Sequence, residues 1–318
     1  MNYLQELKVL VKLLNDCFKN LAKKKVFLFI KELCVSKSGV NEMNVSRFVI
    51  GIGSPRCGTS FLHDLLGTHP DVQTPQTHKE LNFWNQNYEK GLGWYVNNFN
   101  LNSKYKYIHE FTPGYLCNQE VPLRIVRELG KSPLFIVILR NPVDRLYSHF
   151  KKYTRDKQTD MSFREFTKIP QRLNVSMYGC NIKHWLNIFP RENFLFLEYE
   201  YFFQNPEKGV RELAEFLGID TDGFDTSLFN KKINTSETVS ARGLYKKGHY
   251  IVNWLRSKNL HYLANQIVRT GRLLMKQKPD ISHQIPSQER QRLQNYFKND
   301  VRELEMITGK NFEGWFDG

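Results

Sequence analysis

FVIGIGSPRCGTSFLHDLL, from Phe48 to Leu66, is the stretch on which the fold turns. Phe48-Val49-Ile50-Gly51-Ile52 is short, apolar and β-branched, as a buried strand requires. Gly53 and Gly58 bound the loop that follows. Phe61-Leu62-His63-Asp64-Leu65-Leu66 then returns to helical spacing. The order is strand, loop, helix. A loop of this kind aims several backbone N–H groups at one point, and the dipole of the helix start adds partial positive charge there. Thr59 and Ser60 offer hydroxyls, and Arg56 adds a full charge. The expected occupant is a phosphate or a sulfate.

Gly53 and Gly58 have the spacing of the nucleotide-binding P-loop, but that loop continues with Lys and then Ser or Thr. Here Thr59 follows Gly58, and Arg56 is the loop's one cation. A kinase would lack the lysine that reaches the terminal phosphates. A second unit follows the same plan. Pro133-Leu134-Phe135-Ile136-Val137-Ile138-Leu139 is an uninterrupted apolar run of the kind found in buried parallel strands. It ends at Arg140-Asn141-Pro142, and Pro142 suits the first turn of a helix over Val143–Tyr153. Asn193–Tyr199 (NFLFLEY) reads as another strand, Pro206–Leu217 as an amphipathic helix stopped by Gly218, and Pro286–Gly309 as helix. Strands alternating with helices predict an α/β class: a three-layer, P-loop-like fold with a central parallel sheet flanked by helices. Asn230–Gly248 is polar and reads as a loop.

Residues 1–46 read as an N-terminal amphipathic helical extension, with Leu4, Leu7, Val11, Leu14, Phe18 and Leu21 at alternating spacings of three and four. Three readings stay open for it: packing on the body of the protein, lying on an anionic membrane, or self-association through residues 1–25. From residue 47 to 318 a single domain is expected. The start MNYLQELKVLVKLL has no apolar core of a secretion signal, and no apolar run approaches a membrane span. The five cysteines, Cys17, Cys34, Cys57, Cys117 and Cys180, are odd in number and scattered. They form neither a disulfide framework nor a zinc pattern, so a reducing, cytoplasmic setting and no metal are expected. The 318 residues carry 46 Lys and Arg against 32 Asp and Glu, a net charge of +14. An anionic partner is implied, and no nucleic-acid recognition motif is present.

The loop order Arg56-Cys57-Gly58-Thr59-Ser60 resembles the 5′-phosphosulfate loop of sulfotransferases that use 3′-phosphoadenosine-5′-phosphosulfate (PAPS). In that family a second strand-loop-helix unit holds the 3′-phosphate with an Arg at the strand end and a Ser further into the helix. Arg140 and Ser148 stand at those places. His78-Lys79-Glu80-Leu81-Asn82-Phe83-Trp84, with Gly91-Leu92-Gly93-Trp94-Tyr95 downstream, is similar to the Lys-Glu-x-x-Phe-Phe element of the glycan sulfotransferases. The resemblance implies that Glu80 is the general base, with His78 and His109 as the alternatives. Glu110-Phe111-Thr112-Pro113-Gly114-Tyr115 resembles the Glu-Lys-Thr-Pro-Ala-Tyr element, with Phe111 where the family has Lys. Arg242, in a basic loop, stands where the family places a further 3′-phosphate ligand. The resemblance runs over roughly residues 47–315. It implies in-line transfer of a sulfuryl group from PAPS, leaving the product PAP, to a hydroxyl or amine of a carbohydrate or small-metabolite acceptor. The rival readings are a P-loop-type small-molecule kinase and a non-enzymatic basic protein that binds polyanions or membranes.

Overall fold

The computed structural model describes residues 48–99, 105–157, 159–230, 238–239, 277–278 and 285–316. The extension expected at 1–46, Arg242 and most of the loop expected at 230–248 lie outside the described residues. In chain order, β1 (Phe48–Gly53) is followed by α1 (Thr59–Leu66), β2 (Val72–Gln73), α2 (Gly91–Val96), β3 (Tyr107–Phe111), α3 (Glu120–Leu129) and β4 (Leu134–Leu139). Next come α4 (Pro142–Lys157), α5 (Phe163–Phe166), α6 (Pro170–Asn174), α7 (Tyr178–Leu186), β5 (Phe194–Glu198), α8 (Tyr199–Gln204) and α9 (Pro206–Leu217). The two-residue strands β6 (Thr238–Val239) and β7 (Gln277–Lys278) pair antiparallel, and α10 (Ser287–Thr308) follows.

Five strands form a central sheet in the order β2-β3-β1-β4-β5, flanked by helices. β1 lies parallel to β3 on one side and to β4 on the other. The order therefore reverses at β1, and in such sheets ligands collect at the carboxyl ends of the strands beside the reversal. The loop after β1 lies at that end. Every residue of β1 is buried. Two glycines weaken a strand by about 0.5–1 kcal/mol each. Burial of Phe48, Ile50 and Ile52 outweighs this, at about 1.5–3 kcal/mol for each side chain. Both glycines are also required sterically. A Cβ on Gly51 would lie 2.2 Å from the Phe111 ring, and one on Gly53 would lie 2.7 Å from Leu116.

The expected strand 133–139 and the helices at 206–217 and 286–309 are present within a residue or so. α4 runs one turn beyond the expected Tyr153, and Arg155 and Lys157 in that turn complement the dipole of the helix end. β3 is an addition that hydrophobic patterning does not reveal. His109 and Glu110 stand in its middle, buried to 0% and 1% exposure, so the segment lacks the continuous apolar run of a buried strand.

The chain forms two compact units. The first holds the described residues up to Ile138 together with Asn181–Leu197 and Glu207–Asp225. Phe135, Trp185, Phe189 and Phe194 pack there as a chain of edge-on and stacked rings. Asn193 locks the entry to β5 by donating from Nδ2 to the carbonyls of Lys131 (2.6 Å) and Pro133 (3.0 Å). The second unit holds Leu139–Cys180, Glu198–Pro206 and the described residues from Thr226 on. Its core brings Leu146 of α4, Phe163 and Phe166 of α5, and Leu293 and Phe297 of α10 into one cluster. Two buried carboxylates of this unit are paired. Glu289 accepts from Thr167 Oγ1 at 2.8 Å and from Arg292, and Asp300 accepts from the backbone N–H of Gly179 and of Cys180, both at 2.9 Å.

Candidate active site

The loop after β1 is pinned at its base by the Ser54 N–H, which donates to Ile138 O at 2.8 Å. Arg56 and Gly58 both adopt left-handed backbone, at φ 73° and 81°. That conformation is free for Gly58 and costs a non-glycine residue such as Arg56 about 1–3 kcal/mol. Gly58 occupies the N-cap of α1, where it has no side chain to satisfy the first-turn N–H groups. The first turn also carries no acidic residue. The Oγ of Ser54 is buried without a hydrogen-bond partner. An uncapped helix start beside an unsatisfied hydroxyl is chemically suited to an anion. Cys57 is fully buried, with Sγ 3.8 Å from Pro55 O.

The segment after β2 reaches this helix start. Lys79 Nζ donates to Thr59 Oγ1 at 3.0 Å and to Ser60 Oγ at 3.1 Å. It also lies 3.7 Å from Glu80 Oε1 and 5.5 Å above the centre of the Phe111 ring. Burial lowers the pKa of Lys79, and the charges of Glu80 and Asp64 partly restore it. The structure thus brings the expected base, Glu80, together with the expected loop residues Thr59 and Ser60. The link between them is Lys79. The Glu80 side chain is half exposed. His78 is exposed, whereas His109 is enclosed, with Nδ1 3.0 Å from Val49 O. Burial, and then the charge of His63, keeps His109 well below the ordinary histidine range and therefore neutral. An enclosed ring of this kind is not open to an acceptor.

Behind Glu80 lies a second, buried carboxyl. Glu110 accepts from Tyr115 Oη and from Thr112 Oγ1, both at 2.8 Å. Thr112 Oγ1 in turn accepts from the Asn82 N–H (3.2 Å), and Tyr115 Oη from the Trp84 N–H (3.3 Å). The network clamps the backbone on the C-terminal side of Glu80. Burial raises the Glu110 pKa to about 8, and the hydroxyl bonds offset only part of that rise. The folded chain therefore holds a proton on Glu110 that the unfolded chain, with an ordinary value of 4.5, has released. This contribution to stability is complete below pH 4.5 and lost as pH rises through about 8. His63 has the opposite sign. Burial, and then Lys79, lowers its pKa from 6.5 to about 4, so its contribution is present above pH 6.5 and lost toward about 4. Calorimetry from pH 5 to 9 should show the Tm of Glu110→Gln varying less than that of wild type, because the amide cannot ionise. Parallel curves would show that Glu110 does not carry the dependence.

The other expected ligands lie in the second unit. Arg140 follows β4, with its guanidinium 4.8 Å from the Tyr199 ring centre and its Nε 3.6 Å from Glu200 Oε1, an ion pair too long for a hydrogen bond. Glu200 Oε1 also accepts from the Asn141 N–H at 3.3 Å, and Asn141 Oδ1 caps α4 through the N–H groups of Val143 and Asp144. The guanidinium is therefore held from two sides at a strand end. Ser148 lies in α4, half-buried. Among the described residues no cluster of His, Cys, Asp and Glu suits a metal.

Residues 47–303 match the family model described as sulfotransferase domain, which is most of the chain. This chain belongs to the sulfotransferase domain family. Mouse heparan sulfate glucosamine 3-O-sulfotransferase 3B1 is 29% identical to it over 193 residues, covering 57% of this chain and 48% of that protein. Human heparan sulfate glucosamine 3-O-sulfotransferase 6 is 26% identical over 274 residues, covering 83% and 72%. The chain spans about half the length of the first of these relatives. The crystal structure of a sulfotransferase from Alicyclobacillus acidocaldarius superposes with a TM-score of 0.61 at 22% identity, covering 85% of this chain and 98% of that one. That likeness agrees with the central parallel sheet flanked by helices.

Proposed function

We propose that the chain transfers a sulfuryl group from PAPS to a hydroxyl or amine of a carbohydrate acceptor, with Glu80 as the general base. The observation that carries this reading is the Lys79-Glu80 segment hydrogen-bonded to the first residues of α1. A base then stands beside an anion-binding helix start. The uncapped helix start, the free Ser54 hydroxyl and Arg56 fit a phosphosulfate. The glycan class of acceptor is supported by the relatives, whose names specify heparan sulfate glucosamine.

When bound, PAPS supplies the activated sulfuryl group. Glu80 takes the proton from the acceptor as the acceptor's bond to sulfur forms and the bond from sulfur to the phosphate oxygen breaks. The electron pair leaves with that oxygen. Arg56 and the first-turn N–H groups of α1 stabilise the charge that grows there. Preorganised donors of this type are the main electrostatic source of rate. Arg140, its Nε side directed to Glu200, and Ser148 suit a phosphate as fork and hydroxyl donor, and Arg242 is assigned to the same 3′-phosphate. Incubation with radiolabelled PAPS and a panel of glycans, phenols, amines and alcohols tests the acceptor. Label on a glycan supports the reading; label confined to phenols or simple alcohols would overturn the carbohydrate assignment.

A further inference from the structure

We propose that Lys79 is a catalytic residue of the transfer, the cation that meets the oxygens of the migrating sulfuryl group. The inference rests on the function proposed above and adds a residue to it.

The loop itself carries one full positive charge, Arg56. The helix start at its end is bridged by Lys79, whose Nζ holds the hydroxyls of both Thr59 and Ser60. Lys79 is not a solvated surface charge. Its side chain is 18% exposed, and Phe111 lies beneath it. Taking an ammonium this far out of water is costly unless an anion compensates it. Glu80 and Asp64 offset only part of the effect of its burial. Two of its partners are neutral hydroxyls, and the Glu80 carboxylate is 3.7 Å away and half exposed. A partly desolvated cation on an uncapped helix start is arranged for an incoming anion. It sits, moreover, next in sequence to the base, so the groups acting on the acceptor and on the transferring group share one rigid segment. That segment is held by Thr112 and Tyr115 through Asn82 and Trp84.

Phe111 bears on this directly. It occupies the place where the related element has a lysine, it is fully buried, and its ring makes Gly51 necessary. A lysine in that slot would put its charge inside the sheet. The cation instead comes from residue 79 and lies over the ring, where cation–π attraction holds it without neutralising it.

PAP lacks the sulfuryl group, so it separates the two roles open to Lys79. The experiment measures the PAP Kd by calorimetry and the single-turnover rate with PAPS, for wild type, Lys79→Met and Lys79→Arg. The expected result is a PAP Kd within about threefold of wild type for Lys79→Met, with the rate lowered about 10²–10³-fold. Lys79→Arg, which retains charge, should recover part of that loss. The thermal melt confirms folding, and Lys79→Arg alone serves the test should the methionine variant not fold, since its rate must then fall while PAP binding holds. Three results would overturn the proposal: an unchanged rate in both variants, a PAP affinity that falls as much as the rate, or no recovery by arginine. If wild type binds no PAP and transfers no sulfate, the function itself fails, and that outcome is distinct from all three.

Discussion

Glu80→Gln should slow sulfuryl transfer about 10²–10⁴-fold while leaving PAP binding nearly unchanged. The glutamine keeps the shape and one acceptor oxygen but has no basicity, so the acceptor proton has nowhere to go as the oxygen attacks. Glu110, the buried carboxyl behind it, is sealed by the Thr112 and Tyr115 hydroxyls and is not open to an acceptor. His109 is equally enclosed. A residual rate should therefore depend little on pH near neutrality. Losing the carboxylate also removes the 3.7 Å pairing with Lys79, so some rise in KM can accompany the fall in kcat. The decisive reading is single-turnover transfer at saturating PAPS. A rate within about threefold of wild type would remove Glu80 as the base and return the role to His78, which is exposed on the same segment.

The largest effect on stability should come from Gly179→Ala, in the first turn of α7. A Cβ there would lie 2.3 Å from the backbone oxygen of Asp300 and 3.1 Å from the backbone N of Leu304, both in α10. A flexible side chain could move aside, but helix backbone cannot without shifting the helix. The same approach places the Asp300 carboxylate on the N–H groups of Gly179 and Cys180, so separating the helices also breaks two hydrogen bonds. Overpacking of this kind costs about 1–3 kcal/mol, a fall in Tm of about 2–12 °C. Cys180→Ala, at the exposed neighbour, serves as control and should change stability by no more than about 0.5 kcal/mol. An unchanged Tm for Gly179→Ala would mean that α7 and α10 are not in backbone contact.

Much of the molecule was legible because its central strands are apolar throughout. β1 and β4 announce themselves, the loops after them are marked by Gly58 and by Arg140-Asn141-Pro142, and the parallel sheet follows from that alternation. β3 was not legible, since a buried His and Glu break the pattern, and the reason they are tolerated lies in tertiary contacts. His109 bonds to Val49 O, and Glu110 is satisfied by hydroxyls two and five residues on. The motif around Lys79 carries no sign of a function for that residue. Its role depends on a hydrogen bond to residues 19 and 20 positions earlier, and spacing does not encode that distance. Gly179 is of the same kind. Its need for a missing side chain arises from a helix more than a hundred residues later.

The loop from Gly53 to Ser60 is proposed to hold the phosphosulfate end of PAPS rather than the phosphates of ATP. Titration calorimetry of the full chain with PAP and with ATP, each repeated on Arg56→Ala, tests it most directly. PAP should bind at least about tenfold tighter than ATP, and Arg56→Ala should weaken it by about 1.5–3 kcal/mol, as for a lost hydrogen bond to a charged group. Equal or tighter binding of ATP, or PAP binding indifferent to Arg56, would contradict it.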